Sequence, residues 1–452
     1  MNDANQLDQL GQRLKGRLVG PEDADYDEAR TVWNGMIDKR PAVIAECADA
    51  SDVAVAVNFA RENNLVVAVR GGGHNVAGHA TCDDGIVIDL TPMKNVTVDI
   101  GRRTAVAEGG VTWGDYDKET QRHGLASPGG AISTTGIAGL TLGGGFGWLS
   151  RSYGLACDNL ISAEIVTANG EVLTASAEEN PDLFWAIRGG GGNFGVVTRF
   201  EYRLQEVGEL YAGLILYPRD RAGEFMRVYS EWTAKAPDEV ASMAAFLHSP
   251  DGDPVVGAVV VYHGPKDEGE RVIAPVRSLG SPALDDITPK PYTSVQQVLD
   301  DGFPRGLRNY WKSTYLAELG EQCLDILVDH ANRAPTTWCV VGLEHMMGGA
   351  VARVGEDDTA FANRDAIYSL LILGRTDDPA GDGAVRDWVR GLWKAVEPYS
   401  TGGVYVNYMG QDEAERIGEA YGTDHYARLA KIKSQYDPAN LFRLNQNIAP
   451  SE

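Results

Sequence analysis

The sequence predicts an α+β fold in two parts: a turn-rich first part, and a second part built on an antiparallel sheet covered by helices. Three observations carry this reading. Short β-rich runs alternate with tight turns from Pro41 to about Leu204. Beyond residue 205 glycine thins out, and longer strands are separated by longer amphipathic helices. A length of 452 residues exceeds one ordinary core and makes two or three domains the prior.

In the first part Ala42–Ala45 reads as a strand, and Ser51 as the cap of a helix whose Val53, Ala56, Val57 and Ala60 recur at i, i+3, i+4, i+7. Leu65–Val69 is a buried strand running into glycines. Ile86–Leu90 and the pair Val96–Ile100 with Thr104–Ala107 follow, and Thr112 can cap a short helix reaching His123. Ile161–Thr167 and Val172–Ala175 form a hairpin, with Asn169-Gly170 supplying a type I′ turn. Asn180-Pro181 opens a helix to about Arg188, and Val196–Arg203 is strand-like.

In the second part the strands are Leu210–Tyr217, Val240–Leu247, Val255–Tyr262, Trp338–His345 and Ala366–Leu373. The helices are Asp220–Lys235, Cys323–Ala331 and Gly383–Val396. The tail holds Val404–Tyr408, a helix from Asp424 to Tyr436 and then Asp437-Pro438, and it can pack on either part.

Composition excludes several functions. Forty basic against 64 acidic residues give a net charge of −24, which repels phosphate backbones and anionic lipid, so neither nucleic acid nor membrane is an expected partner. The N-terminus lacks the basic start and apolar core of a signal peptide, and a cytoplasmic location is expected. Five scattered cysteines (Cys47, Cys82, Cys157, Cys323, Cys339) form no CxxC pair, so neither a disulfide framework nor a metal site is expected.

Glycine is the outlier, with 53 residues, roughly 12% against a typical ~7%. It is concentrated in four clusters. The first is Arg70-Gly71-Gly72-Gly73-His74-Asn75 with Gly78-His79, directly after a buried strand. The second is Pro128-Gly129-Gly130 leading to Ser133-Thr134-Thr135-Gly136. The third is Gly139 and Gly143-Gly144-Gly145-Phe146-Gly147-Trp148. The fourth, Gly189–Gly195, formally contains G-x-G-x-x-G. A dinucleotide fingerprint must follow a strand and open a helix; here a helix precedes and a strand follows, so this cluster is assigned to strand entry. Bare backbone at several loops suits one long phosphate-bearing cofactor.

The clusters, in their order and with their flanks, resemble the flavin-binding domain of the vanillyl-alcohol oxidase superfamily (the PCMH type). Within it they are most similar to the berberine-bridge-enzyme-like FAD-linked oxidases, of bacterial or archaeal type. The matching stretches are VRGGGHNVAGHA from Val69, GGAISTTGIAGLTLGGGFGWLSRSYGLACDNL from Gly129 and NPDLFWAIRGGGGNFGVVTRFEY from Asn180. YVNY from Tyr405 and YDPANLFRLNQNI from Tyr436 also fit. The resemblance implies an N-terminal segment over 1–36, an FAD domain over 37–205, a substrate domain over 206–400, and a tail over 401–452 returning to the FAD domain.

It also implies FAD joined through His74 to the 8α methyl of the flavin. Relatives with a second, cysteinyl bond carry cysteine where Ile132 stands, so a single bond is expected. Cys157 falls in a downstream segment where relatives need no cysteine. Relatives with that cysteine often carry histidine where Leu140 stands, and Thr135 occupies a position that governs oxygen access. The resemblance adds Cys157, Asp158, Val196, Val197, Asn445 and Asn447 as cofactor contacts. It implies Tyr408 as base, with Tyr405 and Asn407 of the same Y-x-N-Y motif beside it and on the cofactor.

A phenol titrates near ~10, so a nearby cation or the oxidised flavin is expected to favour the phenolate. The stretch after Arg364, Ile367–Ile372, offers no carboxylate. Glu344, His345, Tyr310, Trp311 and Tyr315 are candidate pocket walls. The implied activity is an oxidase moving hydride from an alcohol, sugar or polyketide/phenolic molecule to flavin N5, with molecular oxygen as acceptor. A flavin dehydrogenase using another acceptor and a non-catalytic flavin-binding protein stay open.

Overall fold

The computed structural model describes residues 4–451; the first three residues of the segment assigned to 1–36 lie outside them. Asp49, not Ser51, opens the first long helix. Its carboxylate accepts from Ser51 N and Asp52 N, and Ala50–Glu62 then buries Val53, Ala56, Val57 and Ala60. That face covers a small sheet in which Val43–Glu46, Ile86–Asp89 and Val67–Arg70 run parallel, with Arg17–Val19 antiparallel at the edge.

A second, antiparallel sheet is ordered 96–99, 104–108, 196–203, 160–166, 172–176. Its hairpin differs from the expected turn: Thr167 N bonds Glu171 O, Gly170 N bonds Thr167 O, and only Gly170 takes positive φ, 75°. The loop, residues 168–170, is one residue longer than a two-residue type I′ turn, and only its last residue, Gly170, takes the left-handed backbone, so Asn169 need not.

The third sheet is antiparallel, with Leu284–Asp285, Leu210–Pro218, Pro254–Tyr262, Val240–His248, Val340–His345, Tyr368–Thr376 and Arg308–Leu316 in that order. Thr288–Lys290 pairs with the Leu210 strand. The edge strand Arg308–Leu316 has no counterpart in the sequence reading. Its two faces meet different surroundings, Lys312 pairing with Asp412 and Glu413 and Trp311 packing on Trp33, so no simple alternation marks it.

Helices Ala222–Thr233, Glu321–Ala331 and Asp382–Val396 cover one face through Phe225, Leu327 and Leu392 against Ile215, Leu370 and Ile372. The other face, carrying Ala241, Met243 and Val259, packs on Phe146, Trp148, Leu149 and Cys157 of the glycine-rich part. Val404–Tyr408 is not a strand: Val406–Tyr408 is one 3-10 turn, which lets Tyr405 and Tyr408, three residues apart, face one space. The tail helix Thr423–Tyr436 lies against Leu183 and Trp185. Its fully buried Lys433 pairs with Asp437 at 2.7 Å and donates to Asn193 O, tying the tail to the fourth glycine cluster. No helix among the described residues is long and apolar enough to cross a membrane.

Candidate active site

Between the glycine-rich part and the open face of the large sheet runs an elongated cleft with ≈ 1860 Å³ of atom-free space, mouth included. One stretch of it is walled by backbone: Gly71, Gly72, Gly73, Gly136, Gly139, Gly191, Gly192 and Gly195. The first two clusters interlock, since a Cβ on Gly72 would lie 2.4 Å from Gly136 N and one on Gly136 would lie 2.4 Å from Gly72 N. Glycine is required at both by this close approach.

Gly139 and Gly192 differ: no atom lies within 4 Å of where their Cβ would sit, so their backbone faces open space. His79 Nδ1 and Asn445 Oδ1, both from cleft-lining residues, are buried without a protein partner. Bare backbone, orphaned polar atoms and the apolar side chains of Val69, Leu90, Val196, Val197, Phe442 and Leu444 suit a large group with phosphates and a flat apolar ring system. These residues fit FAD. The fourth cluster thus does more than enter a strand. Its helix-first order rules out a Rossmann turn, yet Gly191, Gly192, Asn193 and Gly195 line the cleft.

His74 stands in this wall with its ring stacked on Trp33 at 5.1 Å and 20°. Its Nε2 lies 3.0 Å from Thr134 Oγ1 and its Nδ1 3.5 Å from Thr135 Oγ1. Desolvation, with Arg305 nearby, pushes the imidazole down to about 4, so it is neutral across the physiological range.

Trp33 meets Trp311 edge-on at 5.6 Å, and Trp311 meets Tyr408 edge-on at 5.9 Å. This aromatic run joins His74 to the far end of the cleft. There Tyr408 donates to Glu344 Oε1 at 2.8 Å. Phe146, Met243, Met346 and Leu371 complete the walls, and Glu344 is the one Asp, Glu, Lys or Arg side chain among the lining residues.

Burial pushes Glu344 up to about 7, against the opposing pull of Ser369 and Tyr408. Burial, then the Glu344 carboxylate, pushes Tyr408 well above the usual phenol range. The expected stabilisation of a Tyr408 phenolate by a cation is therefore not what the site provides. A carboxylate stands there instead, and the tyrosine is a phenol hydrogen-bonded to it. That carboxylate comes from Val340–His345, the strand beside the one that follows Arg364; Glu344 is paired in register with Ser369.

Tyr405 and Asn407 have a different task. The Tyr405 hydroxyl accepts from Gly145 N at 3.0 Å and from Asn407 Nδ2 at 2.8 Å, and Asn407 Nδ2 also reaches Leu140 O at 3.1 Å. A Cβ on Gly143 would lie 2.2 Å from Asn407 Oδ1. The pair pins the third glycine cluster to the tail.

Of the expected contacts, Gly71–Asn75, His79, Thr135, Gly136, Gly139, Val196, Val197, Tyr405, Asn407, Tyr408 and Asn445 line the cleft. Others sit behind the wall. Arg70 pairs with buried Asp89, and Gly78 makes room for Ile37. Gly129 and Gly130 lie against Trp113 and Leu140, Gly144 against Phe361, and Gly147 against Gly129 O. Ser133 is held by Asp300, and Thr134 reaches the site only through His74.

Pro128, Trp148 and Asn447 are not among the lining residues either. Cys157 is fully buried and Asp158 is paired with Arg364 at 2.7 Å, so both serve the packing behind the third cluster. His345, Tyr310 and Tyr315 likewise lie outside the cleft, whereas Glu344 and Trp311 line it. Trp33, Gln446 and the fourth cluster were not anticipated.

Comparison with known proteins agrees with this geometry. Residues 41–176 match the model of an FAD binding domain, and residues 404–449 match the berberine and berberine-like model. An FAD-linked oxidoreductase of Dictyostelium discoideum is 36% identical over 422 residues, covering 92% of this chain and 91% of the relative. The chain belongs to the berberine-bridge-enzyme-like FAD-linked oxidoreductases.

Among solved structures, 6-hydroxy-D-nicotine oxidase from Arthrobacter nicotinovorans superposes with a TM-score of 0.89 at 33% identity, covering 97% of this chain and 98% of that one. Xylooligosaccharide oxidase from Myceliophthora thermophila gives 0.86 at 25% identity, covering 99% and 100%. Within this berberine-bridge-like frame the cleft holds Ile132 and Leu140 as apolar wall beside Thr135.

Proposed function

We propose that the cleft binds FAD, joined to the chain through His74 alone, and that the protein is an oxidase of small alcohols, sugars or phenolic molecules with Tyr408 as the group that meets the substrate proton. The observation that carries this is the Tyr408–Glu344 hydrogen bond of 2.8 Å inside the cleft. FAD, when bound, supplies the two-electron acceptor for hydride.

The chain supplies the rest. Trp311, Phe146 and Leu371 exclude water around the substrate. The Tyr408 oxygen takes the substrate proton while its own proton passes to Glu344 Oε1, so no free phenolate is needed. The carboxylate, poised near about 7, is a competent acceptor at neutral pH. Without lysine or arginine in the lining, neutral and cationic molecules are favoured over anions.

Two similar proteins named as oxidases of small molecules support oxygen as the acceptor. An anaerobic screen of alcohols, sugars, phenols and amines for bleaching of the bound flavin tests the reading. A class that bleaches, followed by stoichiometric hydrogen peroxide in air, supports it. Bleaching without peroxide points to a dehydrogenase, and no bleaching at all to a non-catalytic binder.

A further inference from the structure

We infer that Thr134 is a positioning residue for covalent flavin attachment: its hydroxyl accepts the Nε2–H of His74 and so leaves the Nδ1 lone pair to form the bond. This rests on the proposal that His74 is the attachment point, and it adds the role of Thr134.

The geometry is specific. Thr134 Oγ1 is 3.0 Å from His74 Nε2, a normal hydrogen-bond length, whereas among the described residues the one hydrogen-bond contact at Nδ1 is Thr135 Oγ1 at 3.5 Å, beyond the usual range. A neutral imidazole carries its proton on one nitrogen, and the better hydrogen bond decides which. A hydroxyl can donate or accept; with Thr134 accepting at Nε2 the lone pair is on Nδ1, and the proton that attack from Nδ1 leaves on Nε2 has an acceptor within reach. Ring rotation is opposed by the stack on Trp33 at 5.1 Å, and Trp33 is itself tied by Nε1 to Phe303 O at 3.2 Å.

Thr134 is equally well placed by its chain neighbours. Ser133 N donates to Asp300 Oδ1 at 3.0 Å, Gly114 N to Ser133 O at 2.7 Å, and Trp113 N to Thr135 O at 2.9 Å. The loop is anchored on both sides of Thr134, whose side chain is exposed and has no packing task comparable to the hydrogen bond.

A bond forms between Nδ1 and the 8α carbon, one methyl C–H breaks, and imidazole loses its Nε2 proton. The two electrons of that C–H bond and the two protons end on the flavin as its reduced form, and molecular oxygen reoxidises it with release of hydrogen peroxide. A hydrogen-bond acceptor at Nε2 assists the proton that must leave there.

The experiment follows the fraction of flavin that stays on the polypeptide after acid precipitation, in full-length protein harvested at successive times after induction in air. Thr134→Val removes the hydroxyl at nearly constant volume; Thr134→Ser keeps it. The valine variant is expected to attach flavin about tenfold more slowly, the effect of losing one hydrogen bond. The serine variant is expected to keep pace with wild type, and both variants to retain noncovalent FAD at wild-type total occupancy. Attachment by the valine variant at the wild-type rate overturns the inference, as does a serine variant as slow as the valine one. Wild-type protein whose flavin is released entirely by acid overturns the underlying assignment of His74 as well, so the two failures are distinguishable.

Discussion

The Tyr408 hydroxyl donates to Glu344 Oε1 at 2.8 Å, across the boundary between the 3-10 turn Val406–Tyr408 and the strand Val340–His345. Among the described residues Glu344 Oε2 has no partner within hydrogen-bond geometry, and the residue is 4% exposed. A carboxylate so placed holds its proton up to about 7 and can accept one only above that. The rate of flavin reduction by substrate is therefore expected to rise with pH through about 7. Glu344→Gln is expected to lower the rate and remove that inflection. Stopped-flow reduction between mildly acidic and mildly alkaline pH checks both; an unchanged inflection in the glutamine variant would assign it to another group.

Two glycines of the cleft wall separate folding from binding. Gly72→Ala forces a Cβ to 2.4 Å from Gly136 N and is expected to cost about 1–3 kcal/mol of stability. Gly192→Ala meets no atom within 4 Å, so its stability should stay within about 0.5 kcal/mol while its flavin content falls. Thermal melts and the flavin-to-protein absorbance ratio measure the two effects.

The proposed single flavin bond is supported by where the thiols lie. All five cysteines are buried and free, and burial together with Asp158 pushes the Cys157 thiol well above its usual range, away from nucleophilic thiolate. Cys157→Ser is expected to leave covalent attachment intact and His74→Ala to abolish it. Peptide mass mapping decides; a flavin carried on the Cys157 peptide is the adverse result.

Asp117 couples pH to stability. Gln296 Nε2 donates to Asp117 Oδ2 at 2.8 Å and to Gly130 O at 3.0 Å, joining the large-sheet part to the glycine-rich part. Burial raises this carboxyl to about 8, whereas the unfolded chain ionises near ~3.9. Between those values the unfolded state has fewer bound protons, so stability falls as pH rises and levels off above about 8. Asp117→Asn is expected to gain on wild type over that window, by on the order of a few kcal/mol at its alkaline end. Denaturant midpoints at pH values inside and above the window test it; parallel curves for the two proteins would refute the coupling.

The glycine clusters were legible because close backbone approach admits no other residue, as Gly72 and Gly136 illustrate. The fourth cluster's place in the cleft is not legible by the dinucleotide fingerprint, which asks for a helix N-terminus, while Gly192 contributes only bare backbone. Glu344 was legible only as one candidate among several. All six residues of Val340–His345 are buried, so no alternation in the sequence says which side chains face the cleft. Valine and tyrosine in Val404–Tyr408 favour strands, but the tail's contacts with Gly143 and Gly145 draw the run into a turn.

The most direct test of the account is the anaerobic rate of flavin reduction by a saturating substrate in Tyr408→Phe against wild type, with bound flavin matched between the two. Loss of the phenolic oxygen should slow reduction by on the order of 10²-fold or more, with the flavin spectrum otherwise unchanged. A rate near that of wild type would contradict the assignment of Tyr408 and Glu344 as the proton-accepting pair.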